Sequence, residues 1–309
     1  MRIVVTGGAG FIGSHVVDRM VQDAHEVTAL DDLSTGRREN VNPAARLHVI
    51  DLRAPELGRI MDAIRPGAVI HLAAQAAVSR SVADPVFDAS VNVLGMLNLL
   101  EACRAVGVRD VVYISTGGAA YGDTDVVPTP ETQVPRPASP YGVSKVAAEL
   151  YLDCWAGLHG ARGVSLRLAN VYGPRQNPEG EAGVVAIFTR RLLSGRGCTI
   201  NGDGEQTRDY VYVGDVADAV ARALARPAAT GPINVGTSRE TTVNEIYRGL
   251  ARAAGVERAA EHGPARPGEQ RRSALAWDRA RQLLEWAPTM PLERGLAETV
   301  AWARSHDAA

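Results

Sequence analysis

A doubly wound parallel α/β sheet followed by a smaller mixed C-terminal lobe is the architecture predicted by three features of this 309-residue sequence. Short apolar runs rich in Val and Ile alternate with helical stretches through the first 170 residues. A glycine-rich turn follows the first run directly. Beyond residue 170 the pattern loosens into loops containing Gly and Pro.

The apolar runs lie at 3–6, 27–30, 47–50, 69–72, 111–115 and 164–168. Unbroken runs of this length mark strands buried on both faces, and helices between them imply right-handed parallel crossovers. Helices are expected at 13–22, about 55–64 and about 87–106. The last carries Val91, Leu94, Leu97, Leu100 and Cys103 at helical period, with Asn92 and Asn98 as polar residues in mid-helix. Ser139 and Pro140 supply an N-cap and a first-turn proline for a helix running to about residue 159. Loops at 170–183, 201–207 and 263–272, with short helices between them, make up the second lobe. The expected division is therefore 1–170 and 171–309, with some strands and helices exchanged between the two.

A chain of this length can bury a sizeable interior. Its 33 Lys+Arg balance 35 Asp+Glu, giving a net charge of −2 with no block of like charge. Nothing electrostatic therefore points to nucleic acid or an anionic membrane, and a small ligand is the expected partner. Cys103, Cys154 and Cys198 are too few and too scattered for a disulfide framework or a tetrahedral zinc site. No metal is expected, and a reducing cytoplasm suits the thiols. The opening MRIVVTGGAG interrupts what a signal peptide would need, and no later run is expected to reach the ~18 apolar residues of a membrane span.

Residues 6–13 read TGGAGFIG, which places Gly8, Gly10 and Gly13 in the spacing G-x-G-x-x-G between a strand and a helix. The tight turn, the close approach of backbone to a pyrophosphate and the packing of helix on strand each require a residue without a side chain. The helix N-terminus then faces the phosphates. The second strand ends in Asp31 and Asp32, where an acidic residue accepts hydrogen bonds from the adenosine ribose. This is a Rossmann fingerprint. A carboxylate at Asp31 repels a 2′-phosphate and so favours NAD over NADP, although Arg37 and Arg38 follow closely enough to soften that preference.

Tyr141 and Lys145, at i and i+4, share one helix face. A free phenol has a pKa of ~10 and is a poor base at neutral pH, but a nearby ammonium and an oxidised nicotinamide both favour phenolate. The pair can then exchange a proton with a sugar hydroxyl while hydride moves. Alone, Y-x-x-x-K is a spacing any surface helix can carry. Its weight comes from the fingerprint that precedes it.

Together, TGGAGFIG, the acidic end of the second strand, His71-Leu72-Ala73-Ala74, Asn92, Ser115-Thr116 and the segment from Tyr141 to Lys145 resemble the extended short-chain dehydrogenase/reductases. The closest likeness within them is to the nucleoside-diphosphate-sugar 4-epimerases of the UDP-glucose 4-epimerase type. RLANVYGPRQ at 167–176, GDGEQTRDYV at 202–211 and RPGE at 266–269 resemble that family's substrate loops. The resemblance implies NAD contacts at Gly7, Gly10, Phe11, Ile12, Gly13, Asp31, Asp32, Asp51, Leu52, Leu72, Ala73, Ala74, Asn92, Tyr141 and Lys145. It implies contacts to a UDP-sugar from Asn170, Arg175, Arg208, Arg266 and Glu269, and a homodimer built through two helices per subunit. Independently of any family, arginines on Gly-rich loops can give charge-assisted bonds to a pyrophosphate.

By resemblance, Tyr141 takes the proton of the sugar 4-hydroxyl as C4 is oxidised. The 4-keto sugar turns about its diphosphate link and is reduced on its other face. Lys145 bonds the nicotinamide ribose, and a hydroxyl relays the proton. That hydroxyl falls on Thr116 counted back from Tyr141, but on Gly117 counted back from Tyr121, as many relatives would have it. Thr116 is the first candidate and Ser115 the second. Gly117, Gly118, Ala119 and Ala120 provide none of the acids and bases that sugar dehydratases and uronate decarboxylases carry in this segment. UDP-glucose, its N-acetyl form and UDP-glucuronic acid all stay open as substrates, with Arg175, Arg190 and Arg191 available by type for a uronate. A non-catalytic NAD sensor is the reading from another class, and it is disfavoured by the presence of both Tyr141 and Lys145.

Overall fold

The computed structural model describes residues 1–179, 183–265 and 270–306. Its centre is a seven-stranded parallel sheet. Six strands fall on the expected runs: β1 (Arg2–Thr6), β2 (Glu26–Asp31), β3 (Arg46–Val49), β4 (Ala68–His71), β5 (Asp110–Thr116) and β6 (Arg162–Leu168). The seventh, Gly231–Val235, was not expected; it pairs with β6 from Gly231 opposite Val164 to Val235 opposite Leu168. Across the sheet the order is Gly231–Val235, β6, β5, β4, β1, β2, β3. The order reverses beside β1, and in such sheets the crevice outside the strand C-termini at that point is where ligands bind.

Period-two alternation explains why both faces are covered. Ile3, Val5, Ile70, Val112 and Ile114 point into one core with Val16, Val17 and Met20 of helix α1 (Phe11–Gln22) and with Val216 and Val220 of the helix Val213–Ala225. The intervening Val4, Val69, Val111 and Tyr113 point into the other, against Leu57 and Met61 of α2 (Leu57–Ile64) and against Leu99, Cys103 and Leu152. Each such aliphatic side chain contributes about 1.5–3 kcal/mol on full burial. β3 departs from the expectation of burial on both faces, since it is an edge strand whose Val49 is 52% exposed. A third core, with Phe188, Ile246, Leu250, Leu296 and Val300, holds the second lobe. Its helices Val184–Leu193, Val243–Ala254 and Leu292–His306 run longer than the short helices expected there.

Three further differences have local causes. The stretch expected as a loop from residue 170 begins with a short strand, Asn170–Tyr172, paired in parallel with Tyr210–Tyr212. The helix expected at 87–106 starts at Pro85, capped by Asp84, and passes through a π-helical turn at Ser90–Leu94 before continuing as Gly95–Val106. That helix, Pro85–Val106, is also long and apolar enough to cross a membrane by length and composition, contrary to the expectation that no run is; 44% of its apolar window is buried against the protein's own core.

Candidate active site

The glycine-rich turn is held by its own backbone and by the end of β2. Gly7 lies at φ +69 with its N–H donating to Leu30 O at 2.7 Å, and a Cβ there would lie 2.7 Å from Ala73 N. A Cβ on Gly13 would collide with Gly7 O, so α1 packs on the turn only as glycine. Gly10 is less crowded than Gly7 and Gly13, since a Cβ there would meet only Gly7 O, in a tight contact of 3.2 Å. Gly10 also begins α1 without a side-chain cap. Uncapped N–H groups at a helix start, beside a turn that has no room for side chains, are the cradle a pyrophosphate requires, so the residues present fit a dinucleotide. Phe11 and Ile12 form the first turn of α1 above it.

Asp31 is 7% exposed and accepts from Ala9 N and Leu33 N, both at 2.9 Å, tying the turn to β2. Burial raises its carboxyl above the usual range while these N–H groups oppose the rise. Asp32 accepts from Ser34 N and Oγ. Asp51 pairs with Arg53, whose guanidinium holds the carboxyl below its usual range, and Leu52 O accepts from Asn98 Nδ2 at 2.5 Å, which fixes the segment after β3. Leu72 N and Ala73 N donate to Thr6 Oγ1 at 3.2 Å, so Thr6 donates its own proton to His71 Nδ1, 2.7 Å away. Burial, with the Lys145 charge second, pushes His71 down to about 3, so its ring stays neutral. Ala74 completes the loop that leads to Gln75.

The Tyr141 helix, Pro140–His159, starts as expected: Ser139 caps Gly142 N at 3.2 Å and Pro140 occupies the first turn. Burial, with the Asp88 charge second, pushes the Tyr141 phenol up to about 12, and the Thr116 side chain at the end of β5 opposes the rise. Lys145 Nζ donates to Ile114 O at 2.6 Å and lies 4.3 Å from the centre of the Tyr113 ring. Burial lowers its ammonium to about 7, against the opposing charges of Glu149 and Asp88. The end of β5 thus receives both residues of the pair. Ser115, next to Thr116 on an alternating strand, is 4% exposed and its Oγ has no hydrogen-bond partner. At Gly117 a Cβ would run into the side chain of Leu275, so a hydroxyl-bearing residue has no room in that slot. The shift in this segment therefore has a packing cause.

Asn92 is 2% exposed and fully committed: Oδ1 accepts from Gln75 N, and Nδ2 donates to Gln75 O, Asp88 Oδ1 and Ser144 Oγ. It shapes the site from within the protein. The substrate loops are less concentrated. Asn170 is exposed beside the Tyr210–Tyr212 strand. Arg175, at φ +68, pairs with Asp18 of α1 at 2.7 Å and leaves Nη1 buried without a hydrogen bond. Arg208 donates to Thr207 O and Gln270 O. Arg190 pairs with Glu179, and Arg191 follows it in the helix Val184–Leu193. Arg266 and Glu269 lie outside the described residues.

The sequence reading missed a buried network behind the pair. Glu149 takes three bonds of 2.6–3.1 Å from Arg167 of β6; Arg167 Nη1 donates to Tyr121 OH, which donates to Asn234 of the seventh strand. Half of its signal is visible, because Tyr141, Lys145 and Glu149 are spaced four apart on one helix face.

The model of the NAD dependent epimerase/dehydratase family matches residues 3–236. A UDP-glucose 4-epimerase of Mycolicibacterium smegmatis is 48% identical over 311 residues, covering 99% of each chain. The UDP-glucose complex of a UDP-glucose 4-epimerase from Thermotoga maritima superposes with a TM-score of 0.96 at 46% identity, covering 99% of each chain. The NAD complex of a UDP-glucose 4-epimerase from Thermus thermophilus does so at 0.93 and 47%, covering 99% of this chain and 100% of that one.

Proposed function

The chain belongs to the NAD dependent epimerase/dehydratase family, within the extended short-chain dehydrogenase/reductases, and from that premise we propose that it inverts C4 of UDP-glucose and UDP-galactose through a transient 4-keto sugar. The observation that carries this reading is the meeting of Tyr141, Thr116 and Lys145 at the end of β5, beside a glycine turn built for a dinucleotide. Bound NAD supplies the reversible hydride acceptor at C4. Gly7, Gly10, Phe11, Ile12 and Gly13 cradle its pyrophosphate, and Asp31, with Asp32 beside it, takes the adenosine ribose.

Tyr141 Oη takes the C4 hydroxyl proton when the sugar is oxidised and returns it when the ketone is reduced from its other face. Thr116, whose side chain acts on the phenol, passes the proton between it and the sugar oxygen. Lys145, in its ammonium form, favours the phenolate. His71, held neutral, adds no competing charge. On the substrate side, Asn170, Arg175, Arg208, Arg266 and Glu269 are assigned to the nucleoside diphosphate. Gly117 and Gly118 leave no acid beside the sugar to start the elimination that a dehydratase needs.

Exposed Val82, Val86, Leu94, Val143, Leu150 and Leu158 line the adjoining helices Val78–Ala83, Pro85–Val106 and Pro140–His159, an apolar face that suits pairing with a second copy of the chain. In this reading the working form is a homodimer, and it acts in the cytoplasm. The purified protein, given UDP-glucose, UDP-N-acetylglucosamine and UDP-glucuronic acid in separate reactions, should form the C4 epimer of UDP-glucose fastest. A folded, NAD-loaded protein that epimerises none of the three refutes the reading.

A further inference from the structure

Asp88 has no part in the mechanism above, yet it is one of the least accessible carboxylates in the molecule, at 1% exposed. Its Oδ1 accepts from Gln75 Nε2 at 2.8 Å and from Asn92 Nδ2 at 3.1 Å. Its Oδ2 is buried with no hydrogen-bond partner. A buried carboxylate oxygen left unbonded is costly, so its presence calls for a compensating role. The bonds around it join three elements. Asn92 Nδ2 donates to Ser144 Oγ, and Ser144 Oγ donates to Tyr141 O, both at 3.0 Å. Gln75 N and O close on the Asn92 amide from the loop after β4. The π-helical turn at Ser90–Leu94 begins two residues after Asp88 and contains Asn92, so Asn92 reaches the Tyr141 helix from a local irregularity and Asp88 holds it from the preceding turn.

We propose that Asp88 is a positioning residue for the epimerisation: its carboxylate clamps Gln75 and Asn92 against the Tyr141 helix and supplies the fixed negative charge that Lys145 faces from the neighbouring helix. The proposal rests on the epimerase reading. Among the described residues, the charged and titratable groups near the pair are these. Glu149 lies on the same helix and is neutralised by Arg167 of β6. His71 comes from β4 and Tyr113 from β5, stacked on each other. Arg53 and Arg80 flank Phe87, beside Asp88 in sequence, and Arg53 is already paired with Asp51. Among the described residues, Asp88 is therefore the carboxylate at the pair with no cation bonded to it. It raises the proton affinity of Lys145 and Tyr141 together.

Asp88→Asn keeps an acceptor oxygen for the clamp and removes the charge. Loss of one negative charge lowers both proton affinities, so the acid and alkaline limbs of the kcat–pH profile should both move to lower pH, by about one unit. Asp88→Glu keeps the charge and should keep both limbs in place while kcat falls. Asp88→Ser offers a second neutral side chain should the asparagine variant not fold. A merely structural carboxylate would change the height of the profile without displacing its limbs. Limbs that superimpose on those of an active wild type, in the neutral variants, overturn this proposal alone. A wild type that makes no C4 epimer overturns the epimerase reading and this proposal with it.

Discussion

The cofactor turn and the substrate loops solve similar recognition problems with opposite economies of chain. At residues 6–13 the strand end, the turn and the helix start all lie within eight consecutive residues. Their geometry is enforced by backbone alone, as the clashes a Cβ would create at Gly7 and Gly13 demonstrate. In the second lobe, Asn170, Arg175 and Arg208 come from separate segments, and each is placed by a partner elsewhere: the Tyr210–Tyr212 strand, Asp18 of α1, and the Gln270 carbonyl. A site written in one segment is rigid and intolerant of substitution. A site assembled from several is graded, and loses binding in increments.

Tyr141→Phe sharpens that contrast most. It should lower kcat by about 10³-fold, the range of a lost general acid–base, while bound NAD and the unfolding temperature stay at wild-type values; retained turnover would remove Tyr141 from its assigned role. Thr116→Val should cost about 10²-fold in kcat, as for other hydrogen-bond donors at a reacting oxygen, whereas Ser115→Ala should be close to neutral; the reverse ranking would move the proton relay to Ser115. Gly13→Ala forces a Cβ into the turn at a cost of about 1–3 kcal/mol, and NAD content measured after purification should fall well below one per chain. Arg208→Ala tests the assembled side. It should raise KM for the UDP-sugar about tenfold with kcat little changed, the loss of one charge-assisted bond. Arg271→Ala, which breaks an exposed ion pair with Asp203, should shift stability by less than about 1 kcal/mol in thermal unfolding.

The same contrast explains what was readable in the sequence. β1, the turn, α1 and the start of the Tyr141 helix are each specified by residues next to one another, and all fall within a few residues of where the pattern puts them. The strand Gly231–Val235 begins with Gly and Pro and breaks its apolar run with Asn234, so nothing local marks it; only its pairing with β6 makes it a strand. Why position 117 is glycine depends on Leu275, which reaches it from far along the chain. Asn92 was legible as a polar residue in mid-helix, but its commitment to Gln75, Asp88 and Ser144 depends on a π-helical turn that no spacing announces. Arg175 was singled out for its charge, and its bond to Asp18 ties the loop after Tyr172 to α1.

The central claim is that C4 is oxidised and re-reduced on one molecule of bound cofactor, with Tyr141 handling only the hydroxyl proton. It is tested most directly by incubating the NAD-loaded protein, with no added reductant, with UDP-glucose carrying deuterium at C4, and reading the product by NMR and mass spectrometry. UDP-galactose that retains the deuterium at C4 is the predicted result. Product with hydrogen from solvent at C4, or no epimer at all, would contradict it.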